Sequence, residues 1–130
     1  MLSKRMIKAL LVVVILCLPV MGVLAQTPPA TIVVEKEALY PEGIAWDAAN
    51  QRFLVGSINE GSIYAVSDAG DFSVMVEDEV LISTIGLHLN GEQLLVANAD
   101  PGVGMHTSEA TAGRTAGLGV YDLNTGEQVA

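Results

Sequence analysis

Residues 43–57 read GIAWDAANQRFLVGS, and residues 86–98 read GLHLNGEQLLVAN. Laid over one another they share a frame. Gly43 meets Gly86, Ile44 meets Leu87, Trp46 meets Leu89, and after a two-residue gap Phe53-Leu54-Val55 meets Leu94-Leu95-Val96. Further on, IYAVSDAGD at 63–71 meets VYDLNTGE at 120–127. The offset is about 41 to 43 residues, the length of a repeat built from four short strands. A long insertion then lengthens the second copy. A single seven-strand sandwich would not predict such internal similarity, so the repeat decides the fold expected here.

Within each copy the pattern is that of strands. TIVVEKE (31–37), GIAWD (43–47), RFLVGS (52–57), SIYAVS (62–67) and FSVMVE (72–77) are short and rich in Val, Ile and aromatics. Turn formers separate them at 47–50, 59–61 and 68–71. No window sustains a helical apolar stripe. Segments such as GIAWD and GLHL are apolar at nearly every position, which suits a sheet with both faces covered by neighbouring sheets. The expected fold is therefore all-β: the first one and a half to two four-stranded blades of a six-bladed β-propeller. Blade one is placed at about 40–79 and blade two at about 82–130, with 26–39 as leader and outer strand. The pair Trp46-Asp47 does not make this a WD repeat, because the second copy has Leu89-Asn90 there. Closing a six-bladed ring takes on the order of 250 to 300 residues. The chain accordingly reads as the amino-terminal third of something larger, an incomplete propeller over 40–130.

Residues 1–25 stand apart from that repeat. Lys4, Arg5 and Lys8 precede an unbroken apolar run over 9–25, and Val23 and Ala25 have the small-residue spacing of a cleavage site. This is the pattern of a signal peptide, a helix in its uncleaved form, and it places the protein outside the cytoplasm, secreted or periplasmic. The run is shorter than a spanning helix wants; an uncleaved anchor is the alternative. Cys17 is preceded by Leu16, where lipid attachment needs a small residue.

Beyond residue 25 there is no cysteine, so neither a disulfide framework nor a thiol nucleophile is available. The basic residues there are Lys36, Arg52 and Arg114, against fifteen acidic ones, a balance of −12. Nucleic acid and, after cleavage, membrane surfaces are poor partners for such a chain. A divalent cation or a neutral small molecule fits better, although acidity is also an ordinary means of solubility.

PEGIAWD, then RFLVGS, a turn and SIYAVSDAG together resemble the first blade of the senescence-marker-protein/gluconolactonase family of six-bladed propellers. That blade typically opens with Glu-Gly-Pro, two residues and an aromatic. The segment NADPGVGMHTSEATAGRTAGLGVYDLNTGE is similar to a secreted bacterial branch with a Gly- and Thr-rich insertion in blade two. The resemblance spans about 40–127. It implies a divalent-metal-dependent lactone hydrolase whose opening Glu is a metal ligand at the central channel, and Glu42 is the residue that matches. The family's Asn and Asp ligands come from later blades, and Ile44 stands where the family usually has Pro. The resemblance further implies a divalent metal ion of the Ca or Zn class and a small-molecule substrate. A non-catalytic secreted propeller that binds a partner is the competing reading.

Read from the residues alone, Glu42 aligns with Ile85, so a blade does not need a carboxylate at that corner. Carboxylates gathered from several blades could supply the six to eight oxygens that Ca²⁺ takes, and a cation so held would polarise a lactone carbonyl. The bland alternative is a solvated turn Glu. His88 is read as a histidine between blades in preference to a base. His106, Thr107, Ser108, Glu109 and Thr111 fall in a long loop, a candidate lid. Asn98 and Asp100 are read as turn residues before Pro101-Gly102, with cation binding second. Ser57 lacks the strand-turn-helix setting of a nucleophile. Two expectations follow: the 130-residue chain alone does not turn over lactones, and its open faces and edges drive self-association.

Overall fold

The structure is a computed structural model that describes Thr27 and residues 29–130. The expected signal helix over 1–25, with Cys17, lies outside the described residues. Seven strands follow, with no helix among the described residues: β1 (Pro41–Asp47), β2 (Arg52–Ser57), β3 (Ile63–Val66), β4 (Phe72–Val76), β5 (Thr84–Asn90), β6 (Gln93–Ala99) and β7 (Ala116–Asp122). They form two antiparallel meanders, a four-stranded sheet β1-β2-β3-β4 and a three-stranded sheet β5-β6-β7. The all-β reading is thereby met, and the bounds of the four strands expected over 43–77 hold to within a residue or two.

Register makes the repeat structural. In the first sheet Ile44 pairs Val55, Ala45 pairs Leu54 and Trp46 pairs Phe53. In the second, Leu87 pairs Val96, His88 pairs Leu95 and Leu89 pairs Leu94. Residues aligned in sequence therefore occupy the same rungs. Both inner pairs also carry a bulge at the same place, between Pro41 and Ile44 and between Thr84 and Gly86. Ile58 N–H donates to the Tyr40 carbonyl, and Ala99 N–H to that of Ser83, at the same step past each bulge.

The third strands do not follow the alignment. Phe53 pairs Val66 while Leu94 pairs Tyr121, so Val66 and not Tyr64 is the counterpart of Tyr121. The shift is two residues, which preserves the face on which each side chain lies. Its physical reason is local. The ring of Tyr121 lies over Gly119, where a Cβ would come within 2.7 Å of it, so the glycine two residues back makes room for the aromatic.

One face of each sheet, here called the front, carries Phe53, Val55, Tyr64 and Val66 in the first sheet and Leu94, Val96 and Tyr121 in the second. The back carries Leu54, Ile63 and Ala65 in the first, and Leu95, Leu118 and Val120 in the second. The front of the second sheet packs on the back of the first. Leu54, Ile63, Val76, Leu94, Val96 and Tyr121 are buried together there, with Leu87 and Leu89 at the edge. The front of the first sheet is covered instead by residues 29–39, through Ile32, Val34 and Leu39 on Val55, Tyr64 and Val66.

The stretch 31–37, expected as an outer strand, pairs with no strand. It crosses the sheet face, so its backbone is not at a ladder edge; alternate side chains turn inward and outward, and Lys36 ends in an ion pair with Glu60 at 2.8 Å. At the other end Gln128 bridges Tyr121, and residues 129 and 130 exchange hydrogen bonds with Val120. The chain after Gly126 thus returns alongside β7 as an isolated antiparallel bridge.

Candidate functional site

β1 and β5 make the broadest contact between the sheets. Glycine allows the approach: a Cβ at Gly43 would sit 3.2 Å from Leu87 Cγ and 3.3 Å from Gly86 Cα. The strands are pinned where they begin. Thr84 Oγ1 donates to the Ser62 and Ser57 carbonyls at 3.0 and 3.2 Å, and Ser83 Oγ to the Ile58 carbonyl at 2.6 Å. These hydroxyls are buried, and each hydrogen bond ties the second sheet to the β2–β3 turn of the first.

Glu42 lies at this end, within the bulge of β1, and its side chain is exposed. Bulges re-aim side chains, so the position presents a carboxylate away from the ladder, beside the seam of β1 and β5. The corresponding bulge on β5 presents Ile85, 38% exposed. The long connection between β6 and β7, residues 100–115, is at the same end and returns to the first sheet, with Met105 N–H donating to the Asn59 carbonyl at 2.7 Å. The chain therefore gathers Glu42, Ile85 and this loop at one rim.

The other sequence candidates fall into ordinary structural roles. Asn98 is buried; its Oδ1 accepts from the backbone N–H of Ile82 and Ser83 at 2.8 and 3.2 Å, and its Nδ2 donates to the Val80 carbonyl at 2.8 Å. Asp100 holds the loop: Oδ1 accepts from Thr107 Oγ1 at 2.7 Å and from Gly102 N–H at 2.8 Å. Burial pushes the Asp100 carboxyl up, but the hydroxyls of Thr111 and Thr107 and the amides of Gly102 and Ser108 outweigh it and hold it below the usual range. Ser108 and Thr111 close a turn within the loop at 2.6 Å. His106 and Glu109 are exposed on it. His88 is exposed on the back of the second sheet, beside Leu95. Ser57 Oγ donates to the Leu39 carbonyl at 2.7 Å and receives Glu60 N–H, so its hydroxyl serves the turn.

Two charged clusters were not read from the sequence. Glu60 accepts from Lys36 Nζ at 2.8 Å and from the Tyr64 hydroxyl, and the Lys36 ammonium lies 5.1 Å from the Tyr64 ring centre. Burial raises the Glu60 carboxyl, yet Lys36 and Tyr64 together hold it below its ordinary value. Asp47, 1% exposed, accepts from Arg52 Nε at 2.9 Å and from Asn50. Arg52 Nη2 in turn donates to the Leu123 carbonyl of the second sheet's turn at 2.6 Å. The signal available was scarcity: Lys36 and Arg52 are two of only three basic residues after residue 25, and each sits among strand-forming residues where a charge needs a partner.

Among the described residues no group of three or more His, Cys, Asp or Glu converges as metal ligands. Glu42 places one exposed carboxylate at this rim. Ca²⁺ takes six to eight oxygens and Zn²⁺ three or four protein ligands, more than this single carboxylate. No protein-family model and no curated protein matches the chain.

Proposed function

We propose that the chain is an exported segment of a β-propeller that resembles the gluconolactonase-like, metal-dependent lactone hydrolases, with Glu42 as one oxygen ligand at the axial rim. The observation that carries the proposal is the polarity of the stack. In a closed sandwich the inner faces meet and the outer ones are polar. Here the second sheet turns its front to the first sheet's back, and the outward faces stay apolar, with Ile44, Trp46, Phe72 and Val74 exposed on one and Leu118 on the other. Front-to-back stacking of equivalent sheets, inner strands side by side, is what a propeller requires. Glu42 at the β1 bulge, where β5 has Ile85, supports a role that the repeat itself does not demand. The missing oxygens have to come from further sheets.

Titration of Ca²⁺ and Zn²⁺ into the protein with its further sheets present, as wild type and as Glu42→Ala, followed by calorimetry, tests this reading, with lactone hydrolysis assayed in parallel on it and on this chain alone. The expected result is binding that is lost or strongly weakened in Glu42→Ala, and no lactone turnover by this chain alone. Binding that survives the substitution removes Glu42 from the site. Absence of binding by the wild type favours the non-catalytic scaffold, for which the exposed apolar faces are the supporting observation.

A further inference from the structure

The interface already formed inside the chain has a second copy of each of its halves. On the buried side, Leu54, Ile63 and Ala65 of the first sheet's back meet Leu87, Leu89, Leu94 and Val96 of the second sheet's front, and Gly56 lies against Thr84. The second sheet's own back repeats the first set in the same register: Leu95 for Leu54, Leu118 for Ile63, Val120 for Ala65 and Ala97 for Gly56. The first sheet's own front repeats the second set, with Ile44, Trp46, Phe53 and Val55. Each apolar partner of the internal contact thus has an apolar counterpart on an outward face, the second sheet's back being open and the first sheet's front partly covered by residues 29–39. Their exposure marks the difference: Ile63 is 0% exposed, whereas Leu118 is 62% and Trp46 47% exposed.

We propose that the back of the second sheet receives the front of the first sheet from a second copy of this chain, so that copies associate head to tail through a repeat of the internal interface. This rests on the stacked-repeat part of the function proposed above and not on its metal chemistry. The contact is heterologous, so it closes into a ring if the rotation between sheets permits and otherwise extends. Residues 29–39 compete for the same surface. They lie across the middle of the first sheet's front, leaving Ile44, Trp46, Phe72 and Val74 uncovered on it, and are held by the Lys36–Glu60 pair and the Leu39 carbonyl. The second copy seats where that segment lifts.

A complementation experiment tests the polarity. Trp46→Asp closes the front and Leu118→Asp the back. Both side chains are exposed, and far-UV circular dichroism on each variant verifies the strands. The full chain is examined by sedimentation velocity over the micromolar range. The wild type is expected to associate, each variant alone to be monomeric, and the equimolar mixture to give a one-to-one heterodimer through the single pair of intact faces. Lys36→Glu, which repels Glu60 and frees residues 29–39, is expected to tighten wild-type association a few-fold. A monomeric wild type overturns the proposal. So does homodimerisation of either single variant, which would mean that like faces meet, and so does a mixture that stays monomeric while the wild type associates. The titration on Glu42 reads the metal separately, so each reading can fail without the other.

Discussion

The two sheets share one register, one bulge and one inward glycine, yet the same positions meet different surroundings. The front of the second sheet is sealed against another sheet, and Leu94 and Val96 are wholly buried there. The front of the first sheet, at the same rungs, is covered only by an irregular segment, and Ile44 and Trp46 remain exposed. Side-chain pattern within a strand therefore reports that a face wants a neighbour, but not which neighbour supplies it. In a stacked repeat that information resides in the sequence of units, since each unit contributes half of two interfaces.

Leu54 and Leu95 put this to the sharpest use. They are the same residue on the same rung of the same face; Leu54 is completely buried between the sheets, and Leu95 is half-exposed on the open back. Leu54→Ala is expected to cost about 3 kcal/mol, because it removes transfer energy and leaves a cavity. Leu95→Ala in the monomer is expected to cost less than about 1 kcal/mol. Urea denaturation of the two variants reads the difference. Equal losses would mean that the sheets do not stack front to back.

Gly56 and Ala97 form the second pair. A Cβ at Gly56 would fall 2.6 Å from the Thr84 carbonyl oxygen and 2.7 Å from its hydroxyl, and backbone cannot yield as a side chain does. Gly56→Ala is expected to cost about 2 kcal/mol as the sheets are forced apart. The counterpart on the open back is already alanine, where nothing approaches as closely. A wild-type melting point in Gly56→Ala would mean that β5 does not rest on β2.

How far this was legible follows from what each feature depends on. Strands and turns were readable because β-branched runs between Gly and Asp clusters are local signals. The repeat was readable because GIAWD and GLHL carry the same spacing of apolar residues. The third-strand register was missed by two residues: matching Tyr64 to Tyr121 rewards chemical identity, whereas the sheet rewards the empty place over Gly119. The stretch 31–37 has strand composition, but whether it pairs at an edge or lies across a face is decided by tertiary contacts with Val55 and Tyr64. At the candidate site, Glu42 was singled out by its lack of a counterpart, and the bulge gives that observation a location. Asp100 works within the turn before Gly102, as its reading had it, whereas Asn98 holds residues 80–83, a partner that its place before Pro101-Gly102 does not show. The Lys36–Glu60–Tyr64 and Asp47–Arg52 clusters join residues too far apart, or too ordinary in a turn, for spacing to reveal.

The smallest effect concerns a charged bond that the first sheet has and the matching rung of the second lacks. Asp47 and Arg52 face each other across β1 and β2, and the corresponding rung of the second sheet holds Asn90 and Gln93. Burial alone raises the Asp47 carboxyl, but hydrogen bonds from Asn50 and Arg52 overcome it and leave the group below its usual value. A carboxyl lowered by folding stabilises the protein above its unfolded pKa, near 3.9, and that contribution fades as pH falls through the lower, folded value. Asp47→Asn mimics the second sheet's rung and is expected to cost about 1.5 kcal/mol at neutral pH, the scale of hydrogen bonds to a charged group. The loss should shrink as acid protonates Asp47 in the wild type, so that the two proteins converge in stability below the folded pKa. Parallel melts of wild type and variant from neutral pH down into that acidic range measure the convergence. A gap that stays constant with pH would show that Asp47 acts by shape and not by charge, and the two sheets would then differ at this rung only in packing.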